Sequence, residues 1–531
     1  MQTMYLRLRT IGGLCIGESG RKFFPASQSP GVAPNTRNVA GNCNCRPRHG
    51  NQRRISLEIA PKSQPRTPVA SPIAASNLGL DQVDADFPNE ATPSMSGYLP
   101  ISSDSKSRLF YVFYEATHNS RRVSETPVML WLNGGPGCSS MIGCFYELGP
   151  WRVNEKLKLS RNEGAWNRRC GLLFIDQPIG VGFSIAAHVS EIPSDEHTVA
   201  DHLFYALQFW CQSNPGFQKR PIFVAGESYA GKYVPALAYY MLTRNQEEHA
   251  FAQFAGMAIG NGLVDPIIQI AQAADTAFYF GLIDEAQCIT VRAMARDLVE
   301  LIDKAQWLEA TLKNLELVMY IYKASGIATM LDIRRTSRYH HREDGIEFMA
   351  PFLNSSSTKA ALKIEKGSSP WSSSRPTVKK AMAPDVMKST KWMVEAVLKA
   401  GYPVLLYQGV YDVKDGPACN EAWMRAIVWD HIKGFWASER EIWRVGRKLA
   451  GYWRRWKNLS HVVVQGAGHQ VPYDQPIFAQ DMIERWIAIS LHPGTNMNLS
   501  EDAEDQVVRS EEHKNSSVNP LVQGDVPDSA L

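Results

Sequence analysis

The chain has 531 residues, 44% of them apolar, with 14 Trp and 20 Phe, enough for a large hydrophobic core. A formal net charge of +3 is too small to argue for nucleic acid or an acidic surface as partner, and no run of 18 apolar residues proposes a membrane span. Residues 1–60 hold nine Arg or Lys against two acids, Glu18 and Glu58. The apolar stretch 11–16 is short and broken by two glycines, a poor secretory signal; the Arg-rich, acid-poor character suits an organellar transit peptide better. Residues 1–85 are therefore expected to be disordered, as a leader, a targeting segment or an incorrectly assigned first exon.

Order is expected to begin near Ser96-Gly-Tyr-Leu-Pro100. Residues 109–115, 128–132 and 172–175 read as aromatic and apolar strands, and 195–212 as a helix with Leu203, Ala206, Leu207 and Phe209 on a helical period. A strand around Phe223 leads into a serine turn and a helix from Ala230, in whose first turns Pro235 must be accommodated. Residues 254–259 form a further strand, after which the pattern turns helical. Strand character resumes at 404–407 and 461–464, and a last helix is expected over 480–490. The expected organisation is an α/β core over 86–266 and 386–495, a mainly helical cap insertion over 267–385, and a disordered polar tail over 496–531. The central sheet is expected to be mostly parallel and flanked by helices.

Ser228 lies in Gly226-Glu-Ser-Tyr-Ala-Gly231, directly behind the apolar run 221–225. A serine after a strand can be a helix cap and nothing more. Small Gly226 and Ala230, however, permit the strained turn that exposes a nucleophile, and a serine hydroxyl needs a histidine to take its proton and a carboxylate to hold that histidine. Asp412 follows the strand at 404–407, and His469 sits in Gly466-Ala-Gly-His-Gln470, giving the chain order Ser, Asp, His of the α/β-hydrolase fold, which is the fold expected here. Two rivals are set aside. Asp415 comes later after the strand and is expected to cap or pair with Lys414, and His461 opens its strand at the wrong end for a parallel sheet. The loop Asn133-Gly-Gly-Pro-Gly-Cys-Ser-Ser140 leaves backbone N–H groups bare to cradle an oxyanion, and it lacks the Gly-Lys-Ser/Thr ending of a phosphate loop.

These segments resemble the serine carboxypeptidase family (peptidase family S10), especially its plant serine carboxypeptidase-like members. The resemblance runs over roughly 86–495. It includes Trp131-Leu-Asn-Gly-Gly-Pro-Gly-Cys-Ser-Ser140, Glu147-Leu-Gly-Pro150, Asp176-Gln-Pro-Ile-Gly-Val-Gly-Phe-Ser184, Gly226-Glu-Ser-Tyr-Ala-Gly-Lys-Tyr-Val-Pro235, Ile259-Gly-Asn-Gly262 and Gly466-Ala-Gly-His469. It implies Ser228 as nucleophile, Asp412 as acid and His469 as base, with oxyanion amides on Gly135 and Tyr229. It also implies a site for the substrate's free carboxylate made of Asn133, Gly134, Glu147 and Glu227. No cofactor or metal is implied. Two glutamates facing a substrate carboxylate must share a proton, which favours acidic medium and suits a vacuole or lysosome, or the extracellular route.

The expected activity is release of the C-terminal amino acid of peptides or small proteins through an acyl-enzyme. Two alternatives use the same scaffold: an acyltransferase with an ester donor, against which Glu227 in place of aspartate argues, and an inactive protective or binding protein. The resemblance further implies that Cys138 pairs with a cysteine of the later half, Cys288 and Cys419 being open choices. Sequons at Asn354, Asn458, Asn498 and Asn515 make N-linked glycans an expectation, and a homodimer is compatible with the sequence.

Overall fold

The computed structural model describes residues 87–118, 125–247, 252–335, 346–366 and 368–492. The expected leader, the expected tail and the sequons at Asn498 and Asn515 lie outside the described residues.

Twelve strands are described. They are β1 (Met95–Pro100), β2 (Arg108–Tyr114), β3 (Val128–Leu132), β4 (Trp151–Val153), β5 (Leu159–Arg161), β6 (Gly171–Ile175), β7 (Pro221–Glu227), β8 (Gln253–Gly260), β9 (Val404–Gly409), β10 (Arg440–Val445), β11 (Lys448–Trp456) and β12 (Leu459–Val464). All but β4 and β5, which pair with each other, form one 10-stranded sheet in the order β1-β2-β6-β3-β7-β8-β9-β12-β11-β10. The stretch from β6 to β12 is parallel throughout, and antiparallel strands flank it on both sides.

The central strands are apolar on both faces, as parallel strands covered by helices must be. Ile222 and Val224 of β7 and Leu406 of β9 point into one core, with Leu203, Leu237 and Val397 from the helices Glu196–Ser213, Ala230–Glu247 and Lys391–Lys399. Phe223 of β7 and Leu405 and Tyr407 of β9 point into the other, with Trp486 from the helix Pro476–Leu491. Period-2 alternation therefore divides consecutive residues between two cores.

Between β8 and β9 every described regular element is helical, including the long antiparallel pair Glu285–Asp303 and Trp307–Ser325. The first of these starts with a capping box between Asp284 and Gln287, and the second ends on left-handed Gly326. These helices share a third core with Val413, which lies beside the acid of the site. Among the described residues, no helix is long and apolar enough to cross a membrane.

Three expectations need correction or completion. The hairpin β10–β11 was not anticipated: its strands carry Arg440, Glu441, Arg444, Arg454 and Arg455 between the buried Trp443, Val445 and Trp453, and the charges mask the alternation. The Cys138 disulfide is not formed with Cys288 or Cys419, and all six described cysteines are free. Cys138 instead faces Ser374 across an isolated antiparallel bridge, while Cys288 Sγ lies against Ala274 O at 3.7 Å and Cys419 Sγ against Val413 O at 4.0 Å. The position opposite Cys138 holds a hydroxyl, so the cysteines carry no argument for an oxidising compartment. Finally, the sequon asparagines in the described fold are engaged. Asn354 Nδ2 donates to Ala350 O and Trp371 O, and Asn458 Nδ2 to Leu398 O and Tyr402 O. A glycan on either nitrogen would displace one of those bonds.

Candidate active site

Ser228 falls between β7 and the helix Ala230–Glu247, at φ +63°, partly exposed. A left-handed serine is held only where its surroundings over-determine it. Here Ser228 N donates to Gly260 O at 3.0 Å, and Ser228 O accepts from both Gly231 N and Leu263 N at 2.9 Å. The turn is thus tied to the end of β8 and to the helix that follows.

The acid and base arise on the neighbouring parallel strands. Asp412 follows β9 and His469 follows β12, both nearly fully buried. His469 Nδ1 donates to Asp412 Oδ2 at 2.6 Å, which leaves Nε2 as the imidazole nitrogen free to serve the serine. Asp412 Oδ2 also accepts from Asn261 Nδ2 at 2.8 Å, and Oδ1 accepts from Lys414 N at 2.8 Å and Asp415 N at 2.9 Å. Four donors on one carboxylate fix its plane. Asp415 pairs with Lys414 Nζ at 3.0 Å, and His461 hydrogen-bonds Gln408 at 2.7 Å within the sheet, so neither rival joins the site. Asp412, Asp415 and His469 do place ligand atoms within 4.8 Å of one another. The donors already aimed at the Asp412 oxygens make this an acid–base pair rather than a cation cradle.

The glycine loop packs against the serine turn. A Cβ on Gly134 would stand 2.5 Å from Tyr229 N and 2.7 Å from Glu227 O. Gly135 has φ +110°, and a Cβ there would stand 2.8 Å from Cys138 N. Only glycine lets this backbone approach so closely. The amides of Gly135 and Tyr229, both assigned from the resemblance, therefore sit on two segments in direct contact.

Asn133, Glu147 and Glu227 form one buried network. Asn133 Nδ2 donates to Glu147 Oε1 at 3.1 Å and to Glu227 Oε1 at 3.2 Å, while its Oδ1 accepts from Trp131 Nε1 at 2.9 Å and Gly143 N at 3.0 Å. Glu147 ends a single π turn, Gly143–Glu147, that delivers its carboxyl to the site. Gln470, beside His469, reaches Glu147 Oε1 at 3.3 Å. Burial raises the Glu147 carboxyl above the usual range, and burial followed by the Glu147 charge raises Glu227 well above it. The two carboxyls share Asn133 Nδ2 as a donor, and among the described residues neither Oε2 has a hydrogen-bond partner, a setting that favours a proton retained on the pair.

Sequence reasoning missed several supporting residues. Asn261 lies in the Ile259-Gly-Asn-Gly262 motif, and a polar residue just past a parallel strand next to the acid's strand was the available signal. Gln177 Nε2 donates to Asn133 O at 3.1 Å, and Asp176 Oδ1 accepts from Ser139 Oγ at 2.6 Å. The insertion braces the acid and base as well. His469 N donates to Leu331 O at 2.8 Å and Val413 N to Met330 O at 3.0 Å, and Arg334 pairs with Asp474 at 2.9 Å. Nothing local in the sequence flags these contacts.

A mostly parallel sheet with a serine on a strained strand-to-helix turn, and an Asp–His pair on later strand ends, defines an α/β-hydrolase. The serine carboxypeptidase family model matches residues 85–489. Serine carboxypeptidase-like 50 of Arabidopsis thaliana is 42% identical over 403 residues, which is 76% of this chain and 89% of that protein. Carboxypeptidase Y of Komagataella phaffii is 31% identical over 408 residues, 75% and 76% of the two chains. The crystal structure of a prohormone-processing carboxypeptidase from Saccharomyces cerevisiae superimposes with a TM-score of 0.67 at 26% identity, covering 74% of this chain and 90% of that one. The chain belongs to the serine carboxypeptidase family.

Proposed function

We propose that the protein is a serine-type carboxypeptidase that removes the C-terminal amino acid of peptides in acidic medium. The observation that carries this reading is the Asn133–Glu147–Glu227 network beside Ser228. A buried carboxyl pair holding a proton can donate to a third carboxylate, and the free C-terminus of a peptide is such a group.

In this reading Ser228 Oγ attacks the last peptide carbonyl while His469 Nε2 takes its proton. Asp412 holds the imidazole's tautomer and stabilises the cation that forms, and the amides of Gly135 and Tyr229 receive the oxyanion. His469 then gives its proton to the leaving amine as the C–N bond breaks. Water, deprotonated by the same nitrogen, releases the acyl group and restores the serine. A proton held on the glutamates is most populated in acid, which supports a vacuolar, lysosomal or acidic extracellular setting.

The test compares an N-blocked dipeptide with its C-terminal amide at about pH 5. Release of the free amino acid from the first and little turnover of the second is expected. Equal turnover of both would remove the carboxylate from the recognition scheme.

A further inference from the structure

One segment between β8 and β9, residues 373–390, touches both halves of the proposed oxyanion site. At its start Ser139 N donates to Ser373 O and Arg375 N to Gly137 O, both at 3.0 Å, with Cys138 and Ser374 paired between them. At its far end Thr390 Oγ1 donates to Gly231 O at 3.0 Å, Lys232 Nζ donates to Lys388 O, and Tyr229 Oη donates to Asp385 Oδ2 at 2.5 Å. The glycine loop and the residue after the nucleophile are thus fastened to the same strap.

Asp385 is the polar centre of this fastening. It is fully buried, with Lys232 Nζ at 3.7 Å and Lys388 Nζ at 3.2 Å. Burial, with the Asp385 charge adding, raises the neighbouring Glu196 carboxyl to about 8. Hydrogen bonds and these cations hold the Asp385 carboxyl below the usual range against its own burial. A buried carboxylate gathered by two ammonium groups and a phenol cannot move without leaving them unsatisfied. Tyr229 is the first residue after left-handed Ser228, and the direction of its N–H follows the placement of its Cα. Clamping the far end of its side chain clamps that Cα.

We propose that Asp385 is a positioning residue that aims the Tyr229 amide at the oxyanion through the Tyr229 hydroxyl. The inference rests on the reading of that amide as an oxyanion donor. A Tyr–Asp bond serving only to satisfy a buried hydroxyl would affect stability and leave the labelling rate of the serine unchanged.

The test uses the full chain as wild type, Tyr229→Phe, Asp385→Asn and the double variant, each reacted with a fluorophosphonate probe below its thermal midpoint. Tyr229→Phe keeps the amide and loses only the hydroxyl. It is expected to lower the rate constant for labelling Ser228, and kcat on an N-blocked dipeptide, by about tenfold to a hundredfold, less than or equal to the loss of a whole oxyanion donor. KM is expected to stay within about twofold, and adding Asp385→Asn should lower the rate no further, since Tyr229→Phe has already removed the bond through which Asp385 acts. Labelling of Tyr229→Phe at the wild-type rate, or losses that multiply in the double variant, would overturn the proposal. Asp385→Asn strands buried Lys232 and can fail to fold, in which case Tyr229→Phe alone decides. Labelling does not depend on the substrate, so a wild type that is labelled yet leaves the dipeptide intact would sink the carboxypeptidase reading and not this one.

Discussion

Asp412 Oδ2 accepts a hydrogen bond from His469 Nδ1 at 2.6 Å and another from Asn261 Nδ2 at 2.8 Å, so two side chains from neighbouring strand ends converge on one oxygen. Asp412→Asn would replace this acceptor with a group that can offer His469 a donor and stabilise the wrong tautomer. We expect kcat to fall by about 10⁴ with KM little changed, as measured with a peptide acid at saturating and limiting concentrations. Asn261→Leu removes one of four donors and is expected to cost less, about tenfold. A variant Asp412→Asn that keeps a tenth of the wild-type kcat would contradict the assigned role.

In the carboxypeptidase reading proposed above, the buried glutamate pair sets a pH dependence of binding. Both carboxyls are raised above their ordinary value, so the shared proton is held in acid and lost as pH climbs through the raised pKa. The substrate carboxylate then meets two bare charges, and KM for a peptide acid should rise as pH climbs through that raised pKa while kcat stays flat or rises. Glu227→Gln, whose amide donates without titrating, should weaken that climb. A KM constant from about pH 4.5 to 8 would detach the glutamates from substrate recognition.

Cys138 and Ser374 form a non-hydrogen-bonded antiparallel pair, flanked by the Ser139–Ser373 and Arg375–Gly137 bonds, the arrangement in which Cα atoms come closest. Ser374→Cys should therefore close a disulfide with Cys138 on oxidation. The bridge spans a long loop and is expected to add about 2–4 kcal/mol. A mass spectrum of a non-reduced digest and the thermal midpoint with and without reductant check this; two free thiols after oxidation would show that the pair is splayed.

His461 is buried in β12 against Gln408, and burial lowers its pKa to about 3, with Arg440 and Arg454 adding in the same direction. The unfolded chain takes up this proton below about pH 6.5 and the folded chain does not. The stability due to neutral His461 is thus complete above about 6.5 and is lost as pH falls toward 3. At pH 5 the penalty is about 2 kcal/mol. The glutamate pair, protonated when folded, works in the opposite direction, so the effect is read as a difference between proteins. His461→Gln, which cannot charge, should lose less stability than wild type between pH 7 and pH 4 in urea denaturation. Parallel curves would place the titration elsewhere.

The core strands and the residues Ser228, Asp412 and His469 were legible in the chain because their signals are local. Apolar runs such as 221–225 and 404–407 can only be buried on both faces. Each ends at a polar residue beside glycine, where a parallel sheet presents its reactive edge. The glycines at 134 and 135 were readable for the same reason, since close approach demands the missing side chain where it occurs. The hairpin β10–β11 was less legible because an edge strand exposes its charged residues, and these dilute the alternation.

What the tertiary structure alone decided are pairings between distant segments. Asn261 meets Asp412 across 151 positions, and Tyr229 meets Asp385 across 156. That Cys138 is unbridged was likewise settled by the residue opposite it, Ser374, which carries no thiol. A hydrogen bond or a disulfide depends on distance and direction between two groups, and a serine or an aspartate carries no local mark of the partner that folding will bring to it.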